Sequence, residues 1–261
     1  MSKQDRFYVQ SNGVKLHMLL YGAKGPNVLL LPGITSPAIT WGFVAERIGE
    51  HAQVHVLDAR GRGLSDQRNG LGHTTADYAA DAAAVIEALG VAPTVVLGHS
   101  MGARVAARLS AVHPALVTRC ILADPPVSGP GRRPYPSQIQ KYLDHIDMAT
   151  RGEAFPAGPN FKPEQIRLRR EWLPTCNKEA VALSHRAFHE EDMFLDLKRI
   201  TCPTLLVQAG VGDVIRDSDA EEILACLQHG AKVKVEQAGH MIPFDALEAF
   251  LDAVVPFILG A

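Results

Sequence analysis

The chain has 261 residues, 47% of them hydrophobic and 21% charged, with 26 basic against 28 acidic side chains and a net charge of -2. That is enough apolar material for a large core, in one α/β domain or two small ones, and the mixed, balanced charges exclude a nucleic-acid binder, which needs a basic stripe to neutralise phosphates. No apolar run approaches the ~20 residues of a membrane span, the opening MSKQDRFYVQ has no apolar centre of a signal peptide, and the four cysteines are too scattered for a zinc site or disulfide framework, so a reduced cytoplasmic protein without metal, organic cofactor or membrane partner is expected.

In chain order, the Asn12-Gly13 turn leads into LHMLLY, followed by VLLL at 28–31, VHVL at 54–57, TVVLG at 94–98, CILA at 120–123, TLLVQ at 204–208 and KVKVE at 232–236. Short apolar runs bounded by turn residues read as strands. Between most of them the apolar spacing is helical. The clearest case sets Tyr78, Ala82, Val85, Ile86 and Leu89 on one face, behind Thr74-x-x-Asp77 as a capping box. Alternating strand and helix predicts a mostly parallel sheet with helices on both faces. The alternation stops between residues 125 and 197, where Pro/Gly-rich text gives way to charged helical segments. This predicts a lid subdomain at 125–197 inserted into a core of 1–124 and 198–261.

The strand TVVLG runs into Gly98-His99-Ser100-Met101-Gly102, a G-x-S-x-G pattern. A serine on so tight a strand-to-helix turn is strained, and glycines two residues to either side make room for the crossing backbone. The turn would expose the Ser100 hydroxyl, with the N–H of Met101 free to donate to an oxyanion. A second donor is expected from the Pro32-Gly33-Ile34-Thr35 turn, at the N–H of Ile34. A hydroxyl needs a base. His240, on a Gly-containing loop between the last strand and the last helix, is the candidate; His99 beside the nucleophile points away and is read as structural. The acid has two candidates, Asp124 at the end of the strand before the lid and Asp213 after the strand behind it.

With the segment DARGRGLS at 58–65, which is read as structural, these motifs span nearly the whole chain and identify it as resembling the α/β-hydrolase superfamily. A closer resemblance rests on LLPGITSPAITWGFVAE, VLDARGRGLSD, GHSMGAR, DPPVSGPGRRPYPS and AGHMIP. It is to the deformylases of aerobic nicotinic acid breakdown, whose triad acid comes from the earlier strand. The resemblance implies Ser100, Asp124 and His240 as the triad, hydrolysis of an N-formyl amide with release of formate, and a small anionic substrate. For that substrate's carboxylate the sequence offers Arg132 and Arg133 at the start of the lid, with Ser128, His185 or backbone donors as alternatives. Rival readings are an esterase or carbon–carbon hydrolase of the same fold, and a ligand-binding receptor that keeps the triad without turnover.

Overall fold

One mixed sheet organises the described residues of the computed structural model, which are 5–260 apart from 12, 155 and 159. Its strands are β1 (Asp5–Ser11), β2 (Val14–Tyr21), β3 (Asn27–Leu31), β4 (Gln53–Leu57), β5 (Thr94–His99), β6 (Val117–Ala123), β7 (Thr204–Ala209) and β8 (Gly230–Val235). They lie in the order β1-β2-β4-β3-β5-β6-β7-β8. The β1/β2 and β2/β4 pairs are antiparallel, and every later pair is parallel. The architecture is therefore the expected α/β-hydrolase fold. β1 was not expected from the sequence; it is an edge strand with Phe7 and Tyr8 exposed, so it lacks the buried apolar run that marks its neighbours. Asn12 of the expected Asn12-Gly13 turn, like residues 1–4 of the polar opening, lies outside the described residues.

Alternation along the strands divides the core in two. Leu29, Val96, Cys120 and Leu122 face one cluster, and Val28, Leu30, Leu97 and Ile121 face the other. The first is covered by α2 (Thr75–Leu89) and α3 (Met101–Val112), and the second by α1 (Gly42–Ile48) and, near the C-terminus, by α9 (Ile242–Asp245) and α10 (Leu247–Leu259). Helix α2 begins where its sequence says it should. Thr74 Oγ1 accepts the N–H of Asp77 at 3.1 Å and the Asp77 carboxylate accepts the N–H of Thr74 at 2.9 Å, while Gly90 ends the helix in the left-handed region.

Between β6 and β7 the chain leaves the sheet to form α4 (Ile139–Thr150), α5 (Pro163–Trp172), α6 (Lys178–Glu190) and α7 (Met193–Leu197), and it returns to α8 (Asp217–Cys226) after β7. The two roots of this excursion meet at one side chain. Arg104 of α3, buried at 2% exposure, donates to the carbonyls of Pro126 and Ser128 at 3.1 and 2.8 Å on the outgoing root. It also donates to those of Phe188 and Glu191 at 3.4 and 2.6 Å on the returning one. Helix α7 then packs back on α3, with an Arg108–Asp196 pair at 2.8 Å.

Candidate active site

Strand β5 ends in a turn that no ordinary residue would choose. Ser100 has φ 54° and ψ -118°, and a Cβ at Gly98 would overlap the carbonyl of Gly102, while one at Gly102 would overlap that of Leu31. The two glycines thus let β5, α3 and β3 meet closely enough to hold the strained serine. Asp124 is the other non-glycine residue of positive φ among the described residues, at 45°. Both follow neighbouring parallel strands whose last residues, His99 and Ala123, are paired, and the Ser100 N–H donates to the Ala123 carbonyl at 2.9 Å.

Across that edge stands His240. Its Nδ1 is 2.7 Å from Asp124 Oδ2 and its Nε2 is 2.9 Å from Ser100 Oγ. A carboxylate only accepts, so Nδ1 carries the proton and the Nε2 lone pair faces the Ser100 hydroxyl. The other carboxylate oxygen of Asp124 accepts the N–H of Ala209 at 3.1 Å, which fixes the acid on β7 as well. Such a chain of hydrogen bonds can take the serine proton and stabilise the imidazolium that results. His99 holds the loop from beneath. Its Nε2 donates to the His240 carbonyl at 2.7 Å, and burial pushes its proton affinity down to about pKa 3, so it stays neutral.

The N–H groups of Ile34 and Met101 find no acceptor among the described residues. That of Met101 is free because it opens α3. The Ile34 loop is held by two contacts: Ser36 N–H to the Gly33 carbonyl at 3.1 Å, and Arg62 Nε to the Ile34 carbonyl at 3.0 Å. Arg62 in turn reaches Tyr78 and Ser184, and Asp58 accepts from His17 at 2.7 Å, Ala38 at 2.6 Å and Leu64 at 3.1 Å. The 58–65 segment is thus a brace for the loop, as its reading as structural implies.

Three expectations are corrected. Asp213 turns its 58% exposed side chain to Arg216, at 2.9 and 3.2 Å, and this contact holds its carboxyl below the usual range; it does not reach His240. Arg132 pairs with Glu222 and lies 3.5 Å over the Phe194 ring, and Arg133 donates to Asp219 and to the carbonyls of Asp213 and Val214. Both guanidiniums are held by acids of α8, and neither lines the cavity. Of the alternatives, Ser128 is buried beside Arg104, and His185 donates to the Ser137 carbonyl at 2.7 Å; neither lines the cavity.

Ser100 opens into a cavity of about 320 Å³ whose floor is the sheet edge and whose roof is the helical excursion. The sequence reading missed its roof. Tyr135 and Tyr142 hang over the site, the Tyr142 hydroxyl donating to that of Tyr135 at 3.1 Å, which lies 3.5 Å from His240 Nε2. Arg169 of α5 also lines it. Tyr135 stands in the DPPVSGPGRRPYPS segment already singled out. Arg169 is hidden in RLRR, where only its spacing of four from the buried Gln165 marks it as inward. Among the described residues no group of three or more His, Cys, Asp or Glu side chains could hold a metal ion.

Comparisons with known proteins show the family and the fold. A model of the alpha/beta hydrolase family matches residues 28–253. The chain is 46% identical over 256 residues to the N-formylmaleamate deformylase of Pseudomonas putida, covering 96% of this chain and 95% of the relative. It is 26% identical to the 2-(acetamidomethylene)succinate hydrolase of Mesorhizobium japonicum, over 90% and 88% of the two chains. The crystal structure of an N-formylmaleamic acid deformylase from Pseudomonas putida superposes with a TM-score of 0.90 at 43% identity, covering 96% of this chain and all of the other.

Proposed function

The chain belongs to the alpha/beta hydrolase family, and from that premise we propose that it cleaves the N-formyl amide of N-formylmaleamate to give maleamate and formate. It is an enzyme, an amide hydrolase of the deformylase kind. The observation that carries the reading is the 46% identity to such a deformylase across 96% of this chain. The hydrogen-bonded order Ser100–His240–Asp124 supplies the chemistry it needs.

In this reading the Ser100 oxygen attacks the formyl carbon while its proton passes to His240 Nε2. The carbonyl oxygen takes up negative charge and is met by the N–H groups of Ile34 and Met101; one such donor contributes ~2.7–4 kcal/mol in comparable sites. Asp124 holds the imidazole in the right tautomer and offsets its charge. The tetrahedral centre collapses by breaking the C–N bond, His240 returns the proton to the departing nitrogen, and maleamate leaves. Water, deprotonated by the same imidazole, then attacks the formyl ester, and formate departs as Ser100 recovers its proton. Every step uses the chain's own side chains and water.

The helices of 125–197 act as a lid, since they close the cavity over Ser100 with Tyr135 and Tyr142. The four free cysteines accord with a cytoplasmic enzyme acting on a small anion, and among the described residues no helix is long and apolar enough to cross a membrane. The test is formate release from N-formylmaleamate by the wild-type chain and by Ser100→Ala. Rapid release by the wild type alone is expected. No formate from the wild type, with an aryl ester still cleaved, would keep the nucleophile and remove the substrate.

A further inference from the structure

The cavity beside Ser100 is lined by an arginine that, among the described residues, has the Phe161 ring 6.0 Å from its guanidinium but no acid to pair with. Arg169 lies on α5 opposite the Ile34 loop, where its Nη1 is 3.5 Å from Ser36 Oγ, and among the described residues no carboxylate stands within ion-pair distance of it. It differs in this from Arg60, Arg132, Arg133 and Arg216, each of which holds an acid. Half-buried and without an anion, its guanidinium binds its proton less tightly than usual, desolvation being the main cause. Around it the lining is basic. Lys141 and His145 share the cavity, and the charges of Lys141 and Arg169, after burial, help push the His145 proton affinity down. Asp245 is the acid of the lining, and it is occupied by the N–H of Gly239 at 2.9 Å and the Asn160 amide at 3.2 Å.

A partly desolvated cation without a counter-ion in a cavity is costly until a ligand supplies the counter-charge. We propose that Arg169, with the hydroxyl of Ser36, is the specificity-determining carboxylate receptor of this site, so that the substrates it accepts are acyl compounds carrying a carboxylate at the end remote from the scissile carbonyl. The assignment rests on the deformylase reading for the identity of the acyl group, but not for the anion. The planar fork of a guanidinium takes two carboxylate oxygens at once and sets the ligand's direction as well as its affinity. Ser36 ties that direction to the chemistry. It belongs to the same turn as Ile34, whose N–H meets the oxyanion, so a carboxylate bound here fixes the other end of the molecule against Ser100.

The experiment compares N-formylmaleamate with N-formylacrylamide, a neutral analogue that keeps the N-formyl amide and lacks the carboxylate. With Arg169→Gln we expect KM for the anion to rise by about 30-fold, the lower edge of what truncating one partner of a hydrogen-bonded charge pair costs. Turnover of the neutral analogue should stay within about threefold of wild type. Arg169→Lys should recover part of the loss, and should Arg169→Gln not fold, it carries the test alone, with a KM rise of roughly tenfold confined to the anion. Equal losses on both substrates, or an unchanged preference for the anion, would overturn the assignment. Thermal stabilisation by maleamate separates this from the deformylase reading. If the wild type releases no formate but maleamate raises its melting temperature and Arg169→Gln abolishes the rise, the receptor stands and the substrate falls. If maleamate stabilises both equally, the receptor falls.

Discussion

Asp124 and Asp213 show how little a residue's position along the chain says about its partner. Both follow sheet strands, and each could be written as the acid of a triad from spacing alone. The difference is geometric: Asp124 leaves β6 with positive φ, under the strand pairing that also fixes Ser100, and is 1% exposed, whereas Asp213 is held outward by Arg216. We therefore expect Asp124→Asn to lower kcat by ~10³–10⁴, the scale seen when the orienting acid of such a triad is neutralised. Asp213→Asn should leave kcat within about threefold. Steady-state kinetics on both folded variants checks this, and the reverse ranking would return the role to Asp213. Ser100 and His240 were legible because their immediate neighbours dictate the turn and the loop. The arginines were not, because a guanidinium reaches several residues away and its partner is chosen by which elements pack together. Arg132 and Arg133 were read as facing a substrate when α8 already supplied Glu222 and Asp219.

Among the elements, β3 and β5 were legible to within one residue and β6 to within three at its start, where its buried run gives way to exposed residues, since alternate residues of these strands feed both halves of the core. The edge strand β1 was not, because DRFYVQS holds only three consecutive apolar residues and exposes two of them, Phe7 and Tyr8. The helices of the excursion were expected as a group, but their attachment was not. That attachment depends on Arg104, a residue in the middle of GHSMGARVAARL that reads as an ordinary helix position. Its removal strips donors from four carbonyls, two of them on each root. With each unsatisfied buried group worth ~1–3 kcal/mol and water recovering part of the loss, we expect Arg104→Ala to lower unfolding stability by about 3 kcal/mol. Urea unfolding measures this. A change under about 0.5 kcal/mol would mean that the roots are held by other contacts.

The molecule as a whole should be sensitive to mild acid well above the range where carboxylates titrate. His73, against Tyr78 and the guanidiniums of Arg60 and Arg62, has its proton affinity pushed down to about 4, chiefly by burial, and His99 is pushed to about 3. In the unfolded chain both bind protons near 6.5. As pH falls through 6.5 the unfolded state takes up protons that the folded state refuses. Stability is therefore full above that value, declines down to about pH 4 and 3, and levels only when the folded histidines are protonated too. Urea midpoints measured from pH 7.5 to 4.5 should show this decline, and His73→Asn should make it shallower. An identical slope would mean that His73 titrates alike in both states. The Arg104 clasp has a consequence of another kind. By pinning both roots of the excursion to α3, it leaves α4 and α5 as the span whose amino acids can change without disturbing Ser100, Asp124 and His240 on the sheet edge. Lys141, Tyr142 and Arg169 all ride on that span. Selection for a new acyl compound, natural or in the laboratory, therefore has a self-contained cassette to rewrite, bounded by a fastening already in place before the rewriting begins.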